Sequence, residues 1–317
     1  MPTIPATTTS LLAGVKTILV TTPDQSVTPS GSIVVKFGWA PSSDASAVFG
    51  VSPDGGIIGI AETPDRGPGV LRLYDRSGMA LLSRPLYLTQ VHGPPLLGLL
   101  DLAVTSQTSV CLLYQAQDSF SVDLLTPNPT GMSTKGMYLT QGVADQLAVS
   151  GADIWAHDAA SDLSYPVFLS GQAIWQNQEQ QAKAMEGLLV GGTWVKTHAE
   201  GGNVVLTAAG LGADRQTRFL APSGYQIAST RLLGQDVRGR FYLLLRLRAT
   251  EAGGQLSMSV VVSFGVEGVK HGQLSLQDDG SAPLSRFTVA QDGTVYRLQS
   301  TPQELDVLTY SANDWEQ

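Results

Sequence analysis

The chain has 317 residues, 43% hydrophobic and only 15% charged, with 34 Gly and 17 Pro. That is enough apolar material for a sizeable core, too much for a disordered chain, and it calls for many turns. The formal net charge is −8 and only six residues are Lys. A phosphate backbone requires clustered Lys and Arg, so nucleic-acid binding is disfavoured and no nucleic-acid partner is expected.

Residues 1–10 are rich in Thr and Pro and read as the start of an arm that spans 1–30. Thr17–Val20 and Ile33–Phe37 are β-branched runs that read as strands. No basic region followed by an apolar core is present at the start, so no secretory leader is expected. No run of about 18 uncharged apolar residues exists, so no membrane insertion by a helix is expected. The compartment stays open among the cytoplasm, a virion and a processed extracellular form.

From Phe49 onward one pattern recurs within a single domain, 31–317: a strand, a tight turn, a second strand, then a third. The clearest copies are Phe49-Gly-Val-Ser-Pro-Asp-Gly-Gly-Ile-Ile-Gly-Ile-Ala61 with Val70–Tyr74, and Phe287–Gln299 with Leu305–Tyr310. Second strands are predicted near Ile57, Val110, Asp153, Trp194, Tyr242 and Val295. Their spacing lies close to the period of about 40–50 residues that marks stacked equivalent sheets. Asp54-Gly55, Asp279-Gly280 and Asp292-Gly293 are turn dipeptides. Only Ile174–Glu186 reads as helical, a Gln-rich surface insertion that Gly187 would end. The last module is one strand short, so Thr17–Val20 or Ile33–Phe37 is expected to pair with it and leave no open seam.

The segments Phe49–Tyr74 and Phe287–Tyr310 resemble blades of β-propeller repeat proteins, in the broad style of the NHL, PQQ-like and surface-layer repeat groups. The resemblance implies an all-β ring of six blades, with seven as the alternative, around a central channel and closed by an N-terminal strand. Propellers include hydrolases, lyases, dehydrogenases, lectins and pure scaffolds, so the resemblance fixes no activity.

Candidate chemistry centres on four acids read as standing at the entrance to first strands: Asp101, Asp145, Glu186 and Asp236. If these converge at one mouth, the oxygens would suit Ca²⁺; the plainer reading is acids solvated in turns. His157 and His198 fall on adjacent modules and make no local zinc pair. Cys111, the only cysteine, excludes an intrachain disulfide and sits in an apolar run as a small buried hydrophobe. Arg238, Arg240, Arg246 and Arg248 read as solvent-facing strand positions. Trp155 and Trp194 are expected in the core, and Trp175 on the surface as a binding platform.

With no nucleophile motif or phosphate loop, the sequence points to a non-enzymatic interaction or structural module. It would bind a protein or carbohydrate surface, as an oligomer or a subunit of a surface or viral assembly. The alternative is a lyase or glycosidase using channel-mouth carboxylates as acid and base.

Overall fold

The computed structural model describes residues 15–22, 27–36, 47–63, 69–86, 97–105, 109–116, 119–128, 131–139, 143–151, 153–170, 172–173, 184–209, 214–250, 257–276, 283–300 and 304–316. Two strands, β1 (Lys16–Leu19) and β2 (Gly31–Lys36), precede the modules. Sheet one is β3 (Ala47–Val51), β4 (Ile57–Glu62), β5 (Gly69–Asp75) and β6 (Ala80–Leu86). Sheet two is β7 (Gly98–Val104), β8 (Val110–Ala116), β9 (Ser119–Asn128) and β10 (Gly131–Leu139). Sheet three is β11 (Gln146–Ser150), β12 (Asp153–Asp158) and β13 (Leu163–Leu169), with short strands β14 (Gln172–Ala173) and β15 (Met185–Glu186) both on β13.

Sheet four is β16 (Leu188–Val190), β17 (Thr193–Glu200), β18 (Asn203–Ala208) and β19 (Arg215–Leu220). Sheet five is β20 (Tyr225–Gln235), β21 (Phe241–Ala249), β22 (Ser257–Phe264) and β23 (Lys270–Leu276). Sheet six is β24 (Phe287–Val289), β25 (Val295–Ser300) and β26 (Glu304–Tyr310), completed by β2. The molecule is an all-β, six-bladed propeller, and the second strands β4, β8, β12, β17, β21 and β25 start within one residue of their predicted positions.

Most sheets are sandwiched between two neighbours, so that middle strands bury both faces and read as continuous apolar runs; β17 of sheet four, with Val195 as its one buried position, is the exception. In β8, Val110, Cys111, Leu112, Leu113 and Tyr114 are all buried. The same holds for Phe241–Leu245 in β21 and for Val260, Val261 and Val262 in β22. The outermost β6 is instead largely exposed. Apolar clusters fill the wedges between sheets, such as Val48, Ala61 and Leu71 against Leu102, Leu112 and Leu125 between sheets one and two.

The ring closes through β2, which pairs antiparallel with β26 from Gly31↔Thr309 to Lys36↔Glu304. Of the two candidates for this role, the Ile33 segment takes it. The Thr17 segment does something the pattern did not suggest: β1 adds to β19 as a parallel outer strand of sheet four. Its Ile18 and Val20 are each 3% exposed and join the core between sheets four and five. Beyond it, Thr21 exchanges hydrogen bonds with the Gln273 side chain, and the Val27 amide donates to Ser275 O. The segment thus straps the outer edges of sheets four, five and six.

Three local expectations are corrected. Met185–Glu186, at the end of the expected helix, is extended and pairs with β13, and Gly187 follows at φ +88°; residues 174–183 lie outside the described residues. Arg240 is buried at 9% rather than solvent-facing, because it pairs with Asp236 (2.6 Å) and with Glu316 of the C-terminal turn. Trp155 and Trp194 are only half-buried; they meet edge to face, centroids 5.0 Å apart, across sheets three and four.

Candidate functional site

The first strands β3, β7, β11, β16, β20 and β24 line the axis, and their ends surround one central cavity of about 260 Å³. The turns that leave these strands share one face of the ring. They are linked there by Val237 N–H to Gln291 O and Gln291 N–H to Pro53 O, 2.9 and 2.7 Å. We call this the turn face, and the opposite one, where the chain crosses between sheets, the crossover face. Strands of sheets one and two come into backbone contact: a Cβ on Gly50 would sit 2.5 Å from Leu102 O.

The axis is braced at mid-height. Asp101, on β7 and 3% exposed, accepts from Arg231 Nη2 and from the Leu147 amide, both at 2.7 Å. Arg231 lies on β20, so the pair runs from sheet two to sheet five. Gln146 of β11 adds a second link, donating from Nε2 to Leu232 O at 2.8 Å. Burial pushes the Asp101 carboxyl up, while the Arg231 guanidinium and the Leu147 N–H oppose that rise. A β-bulge between Leu99 and Asp101 shifts the register of β7 where Asp101 stands.

On the crossover face, sheets three, four and five part around a second cavity of about 360 Å³. Its floor is the buried Leu188, Val195, Val204, Ile227 and Leu232. Its polar groups are Asp145, His157, Thr197, His198, Ser229, Thr230 and Arg231. The small, exposed Ala228 and Ala199 leave its rim open. The short β16, only three residues, leaves this gap between its neighbours.

His157, in the wall of the crevice, belongs to a Ser–His–Asp cluster that extends behind it. His157 Nδ1 lies 3.0 Å from Ser164 Oγ, and Ser164 Oγ donates to Gly187 O at 2.6 Å. The Ser164 proton is thereby used, so the ring donates from Nδ1 and Nε2 carries the lone pair. Asp162 Oδ1 lies 3.6 Å from Nε2. Ser164 is 0% exposed and committed to a backbone carbonyl, so it is a structural hydroxyl and not a nucleophile. The pairing could have been found in the sequence through β12–β13 register, where His157 opposes Ser164; no motif spacing announces it.

The four predicted acids are not brought together. Asp145 precedes β11 on the crossover face, exposed, and accepts from the Ala159 amide. Glu186 is exposed there and pairs with Lys196. Asp101 lies at mid-height. Asp236 follows the end of β20 instead of preceding a first strand, so it sits on the turn face, accepting from the Arg238 and Arg240 amides and pairing with Arg240. The reason is the length of β20, 11 residues, which carries the first strand of sheet five well upstream of Asp236. Among the described residues, no three His, Cys, Asp or Glu side chains come together as a metal site. Trp175 lies outside the described residues.

No family model matches the chain, and no curated protein does. Among solved structures, AofleA from Arthrobotrys oligospora superposes with a TM-score of 0.51 at 12% identity, covering 90% of this chain and 88% of that one. The PQQ-bound aldose sugar dehydrogenase from Streptomyces coelicolor gives 0.44 at 11% identity, covering 89% and 99%. YCF48 from Cyanidioschyzon merolae gives 0.43 at 12%, covering 88% and 99%. At 12% identity the superposition on AofleA is a likeness of fold alone.

Proposed function

We propose that this propeller is a non-enzymatic binding module that holds a protruding group of another macromolecule, a terminal sugar or a protein side chain, in the crossover-face crevice. The observation that carries this reading is the brace across the axis. Asp101 and Arg231 satisfy each other at 2.7 Å, so the two charged groups of the axial cavity are spent on one another, whereas the crevice sets an apolar floor beside several polar side chains, the exposed Asp145 among them. The lyase or glycosidase alternative needs two carboxylates facing one pocket. Among the described lining residues the axial cavity has Asp101 alone, and the crevice has Asp145 alone.

The test is a plugged crevice. Ala228 is exposed on the crevice rim, so Ala228→Trp should fold normally and fill the space. Wild type and A228W are screened on a glycan array and a peptide array. Binding by wild type that A228W loses at least tenfold supports the reading. Equal binding by both proteins overturns it.

A further inference from the structure

An unsatisfied pair of acceptors stands where His157 enters the wall of the crevice. Asp162 Oδ1 is buried and has no hydrogen-bond partner. It faces His157 Nε2 across 3.6 Å, and that nitrogen carries a lone pair because Ser164 and Gly187 O fix the other tautomer. Two acceptors facing each other without a donor are unfavourable, and one proton between them satisfies both.

We infer that His157 and Asp162 form a one-proton switch that reaches the crevice wall through His157, and that proton uptake by the pair controls what the crevice holds. The regulatory part rests on the proposed crevice site; the proton part does not.

The pair is wired to the elements that shape the cavity. Asp162 Oδ2 accepts from the Thr197 amide at 3.2 Å, and Thr197 lines the crevice. Asp162 O accepts from the Gly187 amide at 2.7 Å, while Gly187 O takes the Ser164 hydroxyl. Gly187 carries the chain from sheet three into β16 and has no room for a side chain: a Cβ would lie 2.7 Å from Val195 O. Asp162 itself is held at φ +55°, a conformation that costs an L-residue energy and persists only where surroundings enforce it. Without the proton the pair carries one negative charge beside the crevice; with it the pair is neutral and His157 Nε2 is held to Asp162 Oδ1.

Burial, more than the surrounding charges, shifts both members of the pair. Burial holds His157 below the usual imidazole range. Asp145, Asp158 and the Leu163 carbonyl oppose that fall, and Arg231 adds to it. Burial pushes Asp162 up to about 6; the Thr197 amide, Lys196 and His198 pull it down, and Glu186 raises it. A raised acid contributes stability that is full below its ordinary 3.8 and is lost as pH rises through about 6. A depressed histidine contributes stability present above its ordinary 6.5 and lost as pH falls through its folded value. The two slopes oppose each other, so they are hidden in the wild type and visible when one partner stops titrating.

Asp162→Asn keeps a residue that tolerates positive φ, and His157→Asn keeps a donor for Ser164. Relative to wild type, Tm of D162N should fall by about 2–4 °C as pH drops from 7 to 5. Tm of H157N should instead fall by a similar amount as pH rises over the same range. Should either variant fold poorly, ring-nitrogen NMR of wild-type His157 provides the second reading. Its titration should show one protonation step that moves in D162N.

Parallel Tm profiles, or a His157 step unmoved in D162N, overturn the switch even if the arrays find a ligand. If the slopes appear, affinity for an array hit should change severalfold between pH 7 and 5 in wild type and not in D162N. A pH-independent affinity overturns the control of the crevice and leaves the binding reading standing.

Discussion

At the residue scale, the acids of this chain divide by what they accept. Asp54, Asp75 and Asp292 bind amides two residues on, at Gly56, Ser77 and Thr294, which is how aspartate fixes a tight turn. That much was legible: Asp54-Gly55 and Asp292-Gly293 read as turns, and Gly55 and Gly293 take φ +69° and +86°. Asp101 was not legible, because nothing local says that a carboxylate inside Gly98–Val104 will meet an arginine 130 residues away. Removing it should be costly. Asp101→Ala leaves the Arg231 charge buried without its partner and the Leu147 amide without its acceptor, a loss of about 3–5 kcal/mol. The double variant D101A/R231M should recover part of that, since an apolar pair avoids the stranded charge. Urea unfolding measures both; a D101A cost under about 1 kcal/mol would mean that the brace contributes little.

At the element scale, second strands such as β8 and β21 were the most readable part because both of their faces are buried. Continuous runs such as Val110–Tyr114 stand out against polar turns. Outer strands were harder: β1 is four residues with a single buried position, Ile18, and its parallel pairing leaves no turn signal. The helix expected at Ile174–Glu186 failed at its described end for a related reason, since pairing with β13 overrides the local propensity of Met185 and Glu186.

The strap yields a graded prediction. Deleting residues 1–21 removes β1 and should cost on the order of 1.5–3 kcal/mol for each of Ile18 and Val20. Deleting 1–40 also removes β2, opens the ring between sheets six and one, and exposes the β26 edge. Melting temperature should fall modestly in the first case and sharply in the second, with aggregation. Unchanged melting after the longer deletion would reject closure by β2.

At the scale of the whole molecule, the period of the pattern gave the ring and its six sheets, whereas the site came from departures from the period. Sheet four has a three-residue first strand and sheet five an 11-residue one. This mismatch opens the crevice beside the braced axis. A repeat read from sequence averages over such differences, so four acids at similar places in the pattern looked equivalent. They occupy two faces and the mid-height of the ring instead.

The central claim is that ligand enters the crevice and not the axial cavity. Alanine methyls report on both: Ala159, Ala160, Ala199 and Ala228 line the crevice, Ala103 and Ala148 the axial cavity. The measurement is methyl NMR of alanine-labelled protein titrated with the strongest array hit. The account predicts saturable shifts at Ala159, Ala160, Ala199 and Ala228, with Ala103 and Ala148 unmoved. Shifts confined to Ala103 and Ala148 would contradict it.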